Sequence, residues 1–418
     1  MPNEFHYECM VLGAGPAGST TAALVAEAGH DTLLVDRAKF PRDHVGESLM
    51  PETFWTLQRL GVLDRLRREG FVRKVGVQFV GATGHHSQPF LFKQHDPREC
   101  VKTFHVERSH FDHVLFENAA AKGAEARDQT RVLSVDVTQV PNRVRLRTSD
   151  GEELDVTADV IADATGQQSL LANHLGLKVD RADLHKASIW GYFEGGERGV
   201  SDEEELTTIL HSAGKQAWFW YIPLAKGIVS VGLVSESDYL FKKNQAETIF
   251  EEEIARCPGL ERRLNGAKLI GELEMAREFS YTTSQHAGDG WVLVGDAYGF
   301  VDPVYSTGVF LALRSGELAA DAIVRALEND NVTSEQLGGW TTDFDEGVQR
   351  FTALVKAFYT KQFSFANFLQ QYPQHIGNLT DLLIGRAFTD AAAQLSVDLN
   401  QAVDAAAAQD VTESSNLP

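Results

Sequence analysis

The chain has 418 residues, 23% charged and 43% hydrophobic, the profile of a globular protein with room for two or three domains. Its net charge of −21 argues against nucleic acid as a partner, because a phosphate backbone is held through grouped Lys and Arg. No run approaches the roughly 18 uninterrupted apolar residues of a membrane span, and no basic-then-apolar leader opens the sequence, so it predicts a cytoplasmic protein.

The opening YECMVLGAGPAGSTTAALVAEAGHDTLLVDR reads as strand, glycine turn, helix, strand, with strands at Cys9–Leu12 and Thr32–Val35 and a helix between them closed by Gly29. Residues 49–70 read as one helix, with Leu57, Leu60, Leu63 and Leu66 on a stripe, and Val106–Gly123 as a second. Strands with a turn at Ser149–Gly151 run into DVIADATG. From about 183 to 275 the alternation in SIWGYF, WFWYIP and IVSVGLV predicts an antiparallel sheet. WVLVGDA returns to a buried strand before the helix VFLALRSGELAADAIVRAL, and beyond 335 the pattern is helical. The acidic runs Asp202–Glu205 and Glu251–Glu253 read as solvated surface.

The predicted class is α/β with an α+β middle. A Rossmann-like dinucleotide-binding domain draws on residues 1–73, 104–180 and 276–334. An antiparallel-sheet substrate domain draws on 74–103 and 181–275, and 335–418 form a helical C-terminal region.

GAGPAG puts Gly13, Gly15 and Gly18 in GxGxxG spacing between strand and helix. The glycines permit the tight turn, the approach of a pyrophosphate and close helix–strand packing, and the helix N-terminus offers unpaired N–H groups to the anion. Asp36, 18 residues after Gly18 at the end of the second strand, suits the ribose hydroxyls. There is one such fingerprint, which points to a single dinucleotide. Trp218 and Trp220 share one face of a strand, and Pro223 suits the end of an edge strand. The two rings fill a core or form one wall of a site for a flat ring. Three scattered cysteines and the adjacent His85 and His86 have no metal-ligand spacing, so no metal is expected.

RSHFD with Leu115 (Arg108, Phe111, Asp112) and VGDAYGFVDP resemble the later FAD-contacting segments of the p-hydroxybenzoate hydroxylase-fold flavoprotein monooxygenases. GESL, VDPVYSTGVFLAL, the C-terminal FTALVKAFYTKQFSFANF and the WxWxIP of Trp218, Trp220, Ile222 and Pro223 narrow the resemblance to the flavin-dependent halogenases. It implies FAD, used in reduced form, and chloride or bromide. The implied cofactor residues are Gly13, Gly15, Ala17, Gly18, Asp36, Arg37, Glu47, Ser48, Arg108, Gly295, Asp296, Gly308 and Val309, with Asp296 at the ribityl chain. Thr307 and Gly308 form the implied halide turn, although Thr and Gly also suit an ordinary helix start. Lys74 is the implied catalytic residue, receiving or guiding hypohalous acid. Beside Arg73 it also reads as a basic pair at a strand start. Trp218, Trp220 and Pro223 would wall the substrate off from the flavin. Tyr305 stands where the tryptophan halogenases carry a glutamate, which favours a phenol- or pyrrole-like ring, free or carrier-protein-bound. A separate flavin reductase is the implied partner. The competing readings are an aromatic monooxygenase or prenyl-chain reductase of the same fold, or a non-enzymatic flavin-binding redox sensor.

Overall fold

The computed structural model describes residues 5–181, 184–199, 204–215, 217–241, 246–277 and 280–414. Its first sheet is built on Phe5–Leu12, flanked in parallel by Thr32–Val35 and Glu153–Asp163. Glu125–Arg127 and Trp291–Leu293 extend it in parallel on either side. Cys9 to Leu12 are fully buried, as a parallel strand covered on both faces requires, and this is why the sequence there is an unbroken apolar run. An antiparallel hairpin, Arg131–Asp136 with Asn142–Arg147, joins the sheet along Glu153–Asp163.

The helix Pro16–Glu27 starts with proline at its first turn and is made almost wholly of small residues. That composition lets it lie directly on the long helix Thr307–Glu328. A Cβ on Gly316 would stand 2.6 Å from the Ala17 carbonyl oxygen, and the Thr21 hydroxyl lies 3.1 Å from the Gly316 carbonyl. The glycine turn for the dinucleotide is thus braced from behind by a helix nearly 300 residues further on.

The second sheet runs in the order Lys268–Ala276, Lys186–Glu194, Ile228–Glu236, Ala217–Pro223, Glu204–His211, Val72–Val80, Phe90–Leu91. Its paired strands are antiparallel except Glu204–His211 with Val72–Val80. Period-2 alternation divides its faces. Ile189, Phe219, Tyr221, Val231 and Leu233 form one core with Phe250 and Leu260 of the helices Ala246–Ala255 and Pro258–Arg263. Trp190, Ile209, Trp218, Trp220 and Ile222 join the main core on the other face.

Four sequence expectations need correction. Residues 49–70 form two short helices, Thr53–Arg59 and Leu63–Arg68, because Gly61 takes a φ of +75° between them. Pro223 does end its strand, but that strand is interior, paired on both sides. Glu205 is buried and accepts a hydrogen bond from the Gly199 N–H at 3.0 Å; Asp202 and Glu203 of the same run lie outside the described residues. Glu253 is buried too, accepting from Tyr239 and Arg256. In the C-terminal region the helix Thr341–Tyr359 packs on Asp390–Ser414. Among the described residues no helix is long and apolar enough to cross a membrane.

The Gly316 contact yields a test. Gly316→Ala must push the two helices apart, with an expected loss of about 1–3 kcal/mol of stability in thermal denaturation and weaker FAD retention, while Gly151→Ala in an open surface turn should leave FAD retention unchanged.

Candidate active site

A cavity of about 450 Å³ lies between the sheets, within the range of cofactor pockets. At one end stands the glycine turn. Gly13 has φ +95°, and a Cβ there would meet the Ala164 carbonyl oxygen at 2.4 Å, so only glycine fits. Gly15 caps the helix, where the first N–H groups lack intrahelical partners, and Ala17 lines the cavity beside it. Gly18 does not line it. Its Cβ would fall 1.8 Å from the Gly13 carbonyl oxygen, so this glycine serves close packing alone. The Asp36 carboxylate accepts the Ala14 N–H and the Ala38 N–H, each at 2.8 Å, which fixes the turn against the strand end; each oxygen keeps a lone pair for a further donor. Arg37 follows it on the cavity wall.

The middle of the cavity is crossed by the segment 42–48. Arg108, buried on the helix Arg108–Ala121, grips Asp112 through two nitrogens at 2.8 and 2.9 Å and donates to the Val45 carbonyl at 2.7 Å. Arg42 completes the arrangement, 3.3 Å from Asp112 and stacked over Phe40. Sequence reasoning missed Arg42, because its ion-pair partner Asp112 lies 70 residues away. Glu47 is buried and accepts from the Tyr192 hydroxyl at 2.9 Å; burial pushes its carboxyl up. Asp296 and Gly295 line the opposite wall, and burial raises the Asp296 carboxyl to about 6 against the pull of Arg108.

At the far end the second sheet closes the cavity with Trp220, Ile222, Thr207 and Ser188. Trp220 lies over Gly232, where a Cβ would come within 2.0 Å of its ring, and its N–H is held by the Ser230 hydroxyl at 3.1 Å. Trp190, which sequence reasoning passed over in SIWGYF, packs 6.5 Å from Trp220 as a third ring. Trp218 and Pro223 do not reach the cavity. Trp218 stands 6.3 Å behind Trp220, and its N–H bonds the Tyr359 hydroxyl, which in turn donates to Asp302 at 2.9 Å. Core filling describes Trp218, therefore, and a cavity wall describes Trp220.

The turn before the long helix divides the same way. Gly308 and Val309 line the main cavity, together with Ser48 across from them. Thr307 is buried and faces a smaller cavity of about 40 Å³ that Gly308 also borders. Ser306, at φ +61°, makes the bend between the two. Asp302 and Tyr305 lie buried just upstream. Burial raises the Asp302 carboxyl to about 7.

Lys74 belongs to the strand Val72–Val80 and is 2% exposed. Its ammonium lies 5.6 Å from the Phe92 ring, and burial alone pushes its pKa down to about 7. Adjacent Arg73 behaves in the opposite way, half-exposed and paired with Glu204 at 2.5 Å. The two are no basic pair. Lys74 does not itself line the main cavity; three residues along its strand, Val77 pairs with Thr207, which does.

The chain matches the FAD binding domain family over residues 6–330. It is 26% identical over 408 residues to a 1H-pyrrole-2-carbonyl-(peptidyl-carrier protein) chlorinase of Pseudomonas fluorescens, covering 93% of this chain and 91% of that one. A tryptophan 2-halogenase of Chondromyces crocatus is 31% identical over 359 residues, covering 84% and 67%. Among solved structures, the flavin-dependent brominase Bmp2 superposes with a TM-score of 0.85 at 25% identity, covering 97% of this chain and 100% of that one. The chain belongs to the FAD binding domain family and, within it, to the flavin-dependent halogenases, FAD-dependent oxidoreductases that use chloride or bromide.

Proposed function

We propose that this halogenase modifies an electron-rich aromatic ring, phenol- or pyrrole-like and free or carrier-protein-bound, with Lys74 guiding hypohalous acid and a separate reductase supplying reduced FAD. The observation that carries the reading is the wholly buried lysine on the strand that pairs with cavity-lining Thr207, its charged form disfavoured by burial. The cavity suits FAD because Gly13 fits only as glycine at its turn and the helix N-terminus at Gly15 offers backbone N–H groups, as a pyrophosphate needs. Gly13, Gly15 and Ala17 would hold that group, Asp36 the adenosine ribose, and Arg108 and Asp296 the flavin and its ribityl chain.

Bound in reduced form, FAD supplies the electrons with which O₂ oxidises a halide to hypohalous acid. The protein's part is positional. The turn at Thr307 and Gly308 offers N–H groups to the halide, and Gly308 borders both cavities. Trp220 and Ile222 close the sheet end, so a ring on the far side does not touch the flavin and is not hydroxylated. The uncharged Lys74 amine, populated from about pH 7 upward, offers a lone pair to the electrophilic halogen. On transfer, the ring carbon gains the halogen and loses its proton, and the oxygen leaves as water.

The aromatic class rests on Tyr305, a buried phenol in place of a carboxylate just before Ser306. The carrier-bound option comes from the chlorinase, whose name places its pyrrole on a carrier protein. Tryptophan, named for another relative, is the comparison substrate.

With bromide and a panel of phenols, pyrroles and tryptophan, Lys74→Ala should lower product by at least about a hundredfold while reduced FAD still reacts with O₂. Lys74→Arg should not rescue, since a guanidinium stays protonated. Near wild-type product from the alanine variant would remove Lys74 from the mechanism. Mixing the FAD-loaded enzyme with NADH or NADPH in a stopped-flow instrument should leave the flavin oxidised. Rapid bleaching would show that no separate reductase is needed.

A further inference from the structure

Two motif residues have no part in the scheme above: Ser48 of GESL and Pro223 of WxWxIP. The fold joins them through His105. Residues 47–49 run beside Thr103–His105, with Ser48 bridged to His105, the Val106 N–H on the Glu47 carbonyl at 2.7 Å and the Leu49 N–H on the Phe104 carbonyl at 3.0 Å. His105 is fully buried. Its Nδ1 lies 3.0 Å from the Pro223 carbonyl oxygen, its Nε2 lies 2.9 Å from the Thr207 hydroxyl, and that hydroxyl lies 2.7 Å from the Ser48 hydroxyl.

The direction of this chain follows from its ends. A carbonyl oxygen only accepts, so Nδ1 carries a proton. Burial keeps the ring neutral, and Nε2 is then an acceptor. Thr207 therefore donates to His105, and Ser48 donates to Thr207. Each hydroxyl proton in the chain is thus committed to the next acceptor. Ser48 and Thr207 both line the main cavity, so the Ser48 oxygen meets it with lone pairs only. Lys74 is at hand on the next strand, paired with Thr103 two residues before His105.

We propose that His105 is a positioning residue that, through Thr207, turns Ser48 into a hydrogen-bond acceptor for the O–H of hypohalous acid, so that the acid travels with its halogen end toward Lys74. The inference rests on the halogen-transfer reading above and adds to it the group that holds the oxygen end of the oxidant. The chain also gives Pro223 a role that requires its carbonyl and not an N–H, which proline lacks.

The test has two arms. In FAD-free protein labelled with ¹⁵N-histidine, the His105 signals are those lost in His105→Gln. They should report a neutral ring with the proton on Nδ1 from about pH 5 to 9, and in Thr207→Val the Nε2 signal should move while the tautomer stays. A proton on Nε2, or titration near the ordinary histidine value, overturns the proposal. In the second arm, reduced FAD, bromide and a substrate are supplied with a soluble amine scavenger. Thr207→Val and Ser48→Ala should divert oxidant to the scavenger, with product per FAD oxidised down about tenfold, whereas Thr207→Ser should behave as wild type. Unchanged coupling in both Thr207→Val and Ser48→Ala overturns it, and Ser48→Ala should leave the His105 tautomer intact. If Lys74→Ala halogenates normally, the transfer reading itself fails. The NMR arm does not depend on that outcome.

Discussion

Keeping one amine dry is the constraint on which the arrangement of this site depends. A pKa moved from 10.5 to about 7 corresponds to a penalty on the order of 5 kcal/mol on the charged form of Lys74. Such a penalty persists only if the surroundings cannot relax or admit water. The strand Val72–Val80 meets this condition because it is paired with Glu204–His211, Phe90–Leu91 and Thr103–His105. The aromatic core of the same sheet helps to keep it rigid. Burying one large ring removes about 150–250 Å² from water, worth roughly 4–6 kcal/mol before entropy. Trp190, Trp218 and Trp220 together outweigh the cost of one uncharged lysine. Gly232 makes room for the central ring, and Ser230 and Tyr359 receive two of the indole protons.

The same molecule has to hold a charged cofactor close by, and it separates the two demands by distance along one cavity. The glycine end is polar backbone, braced by the Ala17–Gly316 contact. The sheet end is rings and hydroxyls. Between them lies the segment 42–48, pinned by Arg108 and Arg42 onto Asp112 and by Glu47 onto Tyr192. The C-terminal helices are part of this arrangement: Tyr359 carries the hydrogen bond from Trp218 to Asp302, and so links the aromatic wall to the turn before Gly308.

What could be read from sequence was what depends on local spacing. GAGPAG with Asp36 specified a strand, turn and helix in which Gly13 and Gly18 fit only as glycines. The alternation in WFWYIP put both tryptophans on one face. What could not be read depended on partners distant in the chain. Lys74 and Arg73 are neighbours in sequence, yet one is buried and the other surface-paired, because alternate residues of a strand face opposite sides. Glu205 and Glu253 sit in acidic runs that look solvated, and each is buried by partners its run does not contain. Trp218 and Trp220 share a face, but only the fold decides that Trp220 reaches the cavity and Trp218 does not. His105 gives no signal at all in sequence. Its meaning comes from Pro223, Thr207 and Ser48, which lie between 57 and 118 residues away.

The protonation state of Lys74, on which the proposed transfer depends, can be observed directly. In protein labelled with ¹³C and ¹⁵N at lysine, the side-chain signal missing from Lys74→Met identifies the residue, and its shift can be followed with pH. The expected midpoint is near 7, well apart from the other lysines. A midpoint near 10.5 would mean that the amine is charged and solvated at neutral pH, and would contradict the role proposed for Lys74.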